Sequence, residues 1–267
     1  MGRWQAAIWK AFCELTGGLA DLALPGVCAA CGAAEVAADG LCTGCNVRLL
    51  ALVALPYCPR CGTTVGPNIP TSEEGCSACP NPLPRFAQVV RLGPYTDPLR
   101  GVIRELKYRR RDWLHHRLGR MLGRAAMRSG EANLDLVIPV PMHWRRRLVR
   151  SCDHARVLAS AVAAELELPL GDELIRIRHT GQQVGLSRTQ RIENVRRAFA
   201  LRRSARIEGA YILLVDDVTT TGATADEAAR TLLRGGASKV LLAVVAKAEP
   251  PTAYAAHWSS GRPGSVE

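Results

Sequence analysis

No stretch of the 267-residue chain approaches the ~18 consecutive apolar residues that a membrane-spanning helix needs, so no membrane insertion is expected. The start makes a poor secretory signal, because Lys10, Glu14, Gly17, Gly18 and Asp21 interrupt the mildly apolar run of residues 6–24. A cytoplasmic protein is expected, with residues 1–24 an N-terminal extension whose Trp4, Ile8 and Phe12 would share one face of a helix. Residues 1–86 also lack a basic excess, with five Lys/Arg against six Asp/Glu, which argues against a nucleic-acid reader in that part. A nucleotide P-loop is missing its second glycine and following lysine. No helix-turn-helix pattern stands beside the aliphatic strands, which weakens a repressor reading.

The formal net charge of +11 lies wholly in residues 87–267, which hold thirty Lys/Arg against eighteen Asp/Glu. A polyanionic ligand or partner is implied there. Hydrophobic residues make up 48% of the chain, enough for a sizeable core. At ~150 residues per domain, the length fits one medium domain and a small appendage.

Eight of the ten cysteines form four Cys-x-x-Cys pairs: Cys28/Cys31, Cys42/Cys45, Cys58/Cys61 and Cys76/Cys79. Thiols stay reduced in the cytoplasm, so a disulfide framework is disfavoured. Two thiolates spaced by two residues ligate a metal from one tight knuckle, and two knuckles complete a tetrahedral zinc site. Gly32 and Gly62 follow the second cysteine of their pairs, where a knuckle needs unhindered backbone. One or two structural zinc ions are expected over residues 25–84. Sequential and crossed pairing of the knuckles satisfy the same arithmetic. Cys13 and Cys152 read as ordinary small residues.

The chain is organised around residues 211–236, YILLVDDVTTTGATADEAARTLLRGG. Residues 211–215 read as a strand buried on both faces, as in a parallel sheet between helices. Asp216 and Asp217 follow where the carboxyl end of a strand opens into a crevice. Thr219, Thr220, Thr221, Gly222, Ala223 and Thr224 then make a small, hydroxylated loop that opens a helix at about residues 223–233. Such a loop can close backbone N–H groups around a phosphate, helped by the positive end of the helix dipole. The segment resembles the phosphoribosyl-pyrophosphate signature of type I phosphoribosyltransferases. That resemblance implies that Asp216 and Asp217 hold the ribose hydroxyls and that Thr219 to Thr224 hold the 5′-phosphate.

Three prolines in CPNPLPR (residues 79–85) suggest a stiff connector and a second domain over residues 86–248. A strand is expected at residues 87–95. Leu99, Val102, Ile103 and Leu106 then share one helical face. The charge run from Lys107 to Arg111 follows, within a concentration of eleven Lys/Arg against three acids from Arg91 to Arg128. Residues 135–141, DLVIPVP, read as another buried strand, followed by a basic loop (Arg145, Arg146, Arg147, Arg150) and an amphipathic helix at about residues 153–166. A further strand is expected at residues 239–245.

These parts together resemble the ComF family of competence-associated proteins: double zinc ribbon, Leu-Lys-Tyr-Arg segment, Val-Pro-Val-Pro strand, Arg-rich loop, and the ribose-phosphate signature last. The resemblance spans residues 25–248 and implies an α/β fold of the type I phosphoribosyltransferase kind, with a mainly parallel sheet between helices, behind the ribbon domain. It implies phosphoribosyl pyrophosphate with Mg²⁺ as ligand and an unspecified acceptor. Lys107, Pro141, Arg147 and Arg150 join the phosphate loop as candidate substrate-binding residues. In residues 170–199, Thr180, Gln183, Leu186, Arg191, Asn194 and Phe199 match the family's hood spacing, in which a flap closes over the site. Gln183 and Arg191 thereby join Asp216 and Asp217 as candidate catalytic residues.

One departure stands out. Ser151-Cys152-Asp153-His154 occupies the place where the family has Gly-Phe-Asn-Gln, which puts an acid near the diphosphate position and removes a glycine's freedom. A second reading is therefore carried: a non-catalytic DNA-uptake module that binds single-stranded DNA and a competence helicase. Residues 249–267 read as a disordered tail.

Overall fold

The computed structural model describes residues 27–34, 36–37, 40–66, 74–108, 112–130, 133–142, 153–178 and 187–249. Arg147, Arg150, Gln183, the charge run 109–111, the extension 1–24 and residues 250–267 lie outside them.

Four strands form a parallel sheet in the order β1 (Gln88–Pro94), β6 (Lys239–Lys247), β5 (Tyr211–Thr219), β2 (Leu136–Pro139). Near-continuous aliphatic runs in β5 and β6 explain their central place. Ile212, Leu213, Leu214 and Val215 in β5, and Leu241 through Val245 in β6, are wholly buried, as strands covered on both faces require. Alternate residues point to opposite faces. Leu213 and Val215 meet α2 (Leu99–Tyr108), α3 (Asp112–Arg128) and α4 (His154–Leu166) on one face, while Ile212 and Leu214 meet α6 (Ala223–Arg234) on the other.

On α3, Leu114, Leu118 and Leu122 recur every four residues and line the buried stripe. Gly119 and Gly123 let α4 approach closely: a Cβ at 119 would press on Ala161 Cβ and lie 3.0 Å from the Leu158 carbonyl. A short antiparallel pair, β3 (Leu174–Arg176) with β4 (Phe199–Leu201), stands off the main sheet, with α5 (Arg188–Val195) between them in sequence. This α5 starts with a capping box, in which Ser187 and Gln190 exchange side-chain and backbone hydrogen bonds. Residues 170–178 contribute β3 and an isolated bridge from Leu170 to Val137.

The ribbon region adds one helix, α1 (Thr43–Val53). Its Leu49 and Leu52, together with Cys28, Ala29 and Leu41, bury themselves in the same cluster as β1 and α2. Leu52 Cβ lies 3.2 Å from where a Cβ on Gly93 would sit, and Ala30 leaves no room for one on Gly101. The ribbon is thus continuous with the main core. Among the described residues, no helix is long and apolar enough to cross a membrane.

Candidate functional site

Both metal-type clusters are assembled, and the pairing is sequential. Cys28, Cys31, Cys42 and Cys45 bring their sulfurs within 4.8 Å of one another, as do Cys58, Cys61, Cys76 and Cys79. Zn–S bonds of ~2.3 Å in a tetrahedron set sulfur–sulfur edges of ~3.8 Å. The Cys31–Cys42, Cys61–Cys76 and Cys58–Cys79 separations are 3.8, 3.7 and 3.6 Å. The two knuckles are built alike. Gly32 N–H and Gly62 N–H each donate to the carbonyl of the pair's first cysteine at 2.8 Å, with φ near +79° and +74°. Backbone N–H groups also point at sulfur, from Cys42 to Cys28 and from Cys76 to Cys79, both at 3.3 Å. Four thiolates per cluster leave no open position, so the sites fit structural zinc.

In the second region, β5 runs four residues beyond the aliphatic segment, carrying both acids within the strand. Pairing with β6, Asp216 with Val244 and Thr219 with Lys247, holds these polar residues in extended form. Asp217 N–H donates to Asp216 Oδ1 at 2.8 Å, and Val218 N–H to Asp217 Oδ1 at 2.6 Å. Lys107 Nζ, at the end of α2, sits 2.8 Å from Asp217 Oδ2. Burial and the neighbouring Asp217 charge push the Asp216 carboxyl up to about 8, against the opposing pull of Lys107. Burial works to lower Lys107, but the charge and hydrogen bond of Asp217 outweigh it and raise its pKa. Three residues singled out in the sequence therefore meet: a crowded acid pair and the cation that half neutralises it.

The loop beyond the acids has the geometry of an anion cradle. Gly222 is the N-cap of α6 with φ +80°, and no side chain there caps the first turn. Any other residue at 222 would be strained by that φ. Thr221 Oγ1 accepts from Ala223 N–H at 3.4 Å. Lys247, buried at the end of β6, donates to the Thr220 carbonyl and brings a cation beneath the loop. Thr219 to Gly222, Arg191 of α5 and Lys247 share the wall of a cavity of about 720 Å³. Arg191 thus joins the loop.

Other candidates are placed elsewhere. Pro141 borders a separate cleft of about 350 Å³ with Arg156, Arg176 and Arg202. Asp153 caps α4, accepting from Arg156 N–H at 3.3 Å, so this acid occupies a helix N-terminus of the kind that otherwise takes an anion. His154 follows it. Buried His154 and His115 lie with Nδ1 and Nε2 3.1 Å apart, beside a small cavity that also touches Asp217.

Lys247, Phe86, Glu249 and the histidine pair were not anticipated from the sequence. Each is isolated along the chain, so no local pattern marks it. Phe86 packs beneath Gly222, 3.5 Å from where its Cβ would be. Glu249, the first residue of the expected tail, is held firmly. Its Oε1 accepts from Thr64 N–H at 2.7 Å and Thr64 Oγ1 at 3.0 Å, and Arg91 lies 3.5 Å away. Arg91 in turn donates to Thr64 Oγ1 at 2.7 Å and stacks over Tyr57.

Two four-sulfur knuckle pairs set against a parallel sheet that ends in an acid pair and a phosphate-type loop define a zinc-ribbon protein with a phosphoribosyltransferase fold. Comparison with known proteins agrees: residues 19–84 match the double zinc ribbon domain family, and residues 153–258 match the phosphoribosyl transferase domain family. The chain is similar to Competence protein F of Haemophilus influenzae, 31% identical over 202 residues, which cover 73% of this chain and 86% of that protein. It is also similar to DNA utilization protein YhgH of Salmonella typhi, 33% identical over 189 residues, covering 68% and 80% of the two chains. The YhgH protein of Escherichia coli K12 is 31% identical over 188 residues with the same coverage. The chain belongs to the ComF family, with its double zinc ribbon and phosphoribosyltransferase domain.

Proposed function

We propose that the chain binds phosphoribosyl pyrophosphate and transfers its phosphoribosyl group to an acceptor. The observation that carries this reading is the acid pair followed by a small hydroxylated loop that opens a glycine-started helix, with Lys247 and Arg191 at that loop. Asp216 and Asp217 accept hydrogen bonds from the ribose 2′- and 3′-hydroxyls. Amides of the loop from Thr219 to Thr224 hold the 5′-phosphate, with Lys247 and Arg191 supplying positive charge. The C1–O bond to the diphosphate breaks as the acceptor's bond to C1 forms, through an oxocarbenium-like transition state, and the diphosphate leaves with the bonding pair.

Mg²⁺ fits the donor set: two adjacent carboxylates, one of them raised by burial and by its neighbour's charge, are hard oxygen ligands of the sort this ion takes. Bound with the diphosphate, it would neutralise the charge on the leaving group. Lys107 pairs with Asp217 before ligand arrives. Titration calorimetry with phosphoribosyl pyrophosphate and Mg²⁺ tests the reading. Binding is expected for the wild type and is lost in Asp216→Asn/Asp217→Asn; absence of binding to a folded, zinc-loaded sample overturns it.

A second reading is favoured by Asp153, whose carboxylate sits at the start of α4, where a diphosphate would be repelled. Here the pocket is a sensor within a DNA-uptake protein, and the basic second region holds single-stranded DNA beside a helicase partner. The DNA utilization names of the relatives support it. Binding to a single-stranded oligonucleotide that weakens steeply with salt and persists in the double Asp→Asn variant is its signature.

A further inference from the structure

The loop that reads as a phosphate cradle does not close off the site. It opens on its far side into the cavity of about 720 Å³, whose opposite wall is the second ribbon and the connector behind it: Cys61, Thr63, Ala78, Pro80, Pro84. Asp216 and Asp217 lie outside this cavity; Asp217 borders the small one next to His115 and His154. A terminal phosphate fills only the loop, whereas cavities of ~300–1,000 Å³ take whole small molecules.

The remaining wall has a definite chemistry. Phe86 and Val89 join Pro80 and Pro84 in an apolar surface suited to a flat ring. Two buried polar atoms on lining residues, Arg191 Nε and Glu249 Oε2, have no hydrogen-bond partner among the described residues. Glu249 is 3% exposed at its side chain and is fixed by Thr64 and Arg91, so its second oxygen is a rigid, unmet acceptor within the cavity wall. An unmet buried acceptor is costly, and an N–H-bearing edge of a ligand would relieve it.

We propose that this cavity receives a nucleoside joined through phosphorus to the ribose 5-phosphate held by the acids and loop. The ligand class is a ribose 5-phosphate esterified to a second nucleoside, by a phosphodiester as in a dinucleotide or by a diphosphate as in ADP-ribose. The base of the second nucleoside lies on Phe86 and the prolines, with an amino edge toward Glu249, and the second ribbon is one wall of its site. This rests on the phosphate reading of the loop given above, and adds a subsite to it.

The test compares three probes on the full, zinc-loaded chain by calorimetry: ribose 5-phosphate, the dinucleotide ApA, and ADP-ribose. At least one of the two nucleoside esters is expected to bind ten-fold or more tighter than ribose 5-phosphate, and which one does so identifies the linkage. Ala78, an exposed residue on the cavity wall, provides the variant. Ala78→Trp is expected to remove the ten-fold gain while leaving ribose 5-phosphate affinity and thermal unfolding unchanged. If ribose 5-phosphate binds but neither ester gains, or if Ala78→Trp leaves the gain intact, the subsite does not exist and the loop reading stands. If no probe binds, the loop reading falls, and the subsite with it.

Discussion

The two ribbons share one coordination chemistry and differ in what surrounds it. The first is welded to the main core: Leu49 and Leu52 of α1 and both buried cysteines, Cys28 and Cys45, lie in the cluster that contains β1, α2 and α3. The second has a small cluster of its own, with Cys58, Cys61 and Val65 buried together. It is fastened to the sheet by polar contacts: Arg60 donates to the carbonyls of Pro84, Phe86 and Ala87, and Thr64 bridges Arg91 and Glu249. The difference teaches that the same metal knuckle can brace a core in one place and shape a ligand cavity in another.

Removing a ligand from each cluster should separate the two roles most sharply. Cys45→Ser is expected to drop zinc content from two to one per chain and to abolish cooperative folding, because metal binding of ~10–16 kcal/mol is coupled to folding of the site. Cys79→Ser should lose one zinc as well, yet retain a cooperative thermal transition and lose ligand binding instead. Metal analysis with a melting curve checks both, and equal effects of the two variants on unfolding would erase the distinction.

Next in size is the polar fastening. Arg91→Met leaves the Glu249 carboxylate buried without its cation, at a cost of ~3–5 kcal/mol in denaturant unfolding. Leu52→Ala, in the first ribbon, should cost ~2–5 kcal/mol and keep a single transition, since the ribbon and sheet share a core. A separate early transition in Leu52→Ala would show that they do not.

A smaller effect comes from the site itself. Asp216 has a folded pKa of about 8, above the usual carboxylate value of 3.8, so the folded state holds a proton that the unfolded state has lost. Its contribution is fully present below pH ~4 and fades as pH rises through about 8. Asp216→Asn should therefore raise Tm at pH 8 by ~2–4 °C and leave both zinc ions in place while abolishing ligand binding. No gain at pH 8 would mean the acid pair is not strained. Smallest is Arg124→Ala on α3: its ion pair with Glu165 is 60% exposed on the arginine side, and ~0–1 kcal/mol is expected by urea unfolding, with neither ribbon affected.

Where a signal was local, the sequence was readable. Tyr211 to Thr224 could be read as strand, acids, loop and helix because each step is a neighbour of the next, and Leu99 through Leu106 because the period is 3.6. The strand's real end at Thr219 could not, since polar residues 216–219 are extended only through their partner β6. The helix α3 was legible in principle at Leu114, Leu118 and Leu122, but the arginines between them drew the reading toward charge. Knuckle spacing counted the ligands without pairing them, because nearness of Cys31 to Cys42 is set by backbone bonds such as that from Ala29 N–H to the Gly40 carbonyl and by the packing of α1. Lys247 and Glu249 were invisible: their roles exist only once β1 and β6 lie side by side.

The seat of Gly101 under Ala30 makes α2 a strut between two distant places. One end of this ten-residue helix rests on the first ribbon; the other, ~9 Å further along, presents Lys107 to Asp217. Anyone trimming the chain to its phosphoribosyltransferase half would therefore cut away more than a covering. The trimmed piece would uncover the backbone at Gly93 and Gly101 and leave the helix unseated, so that the lysine reaching the acids would lose its anchor.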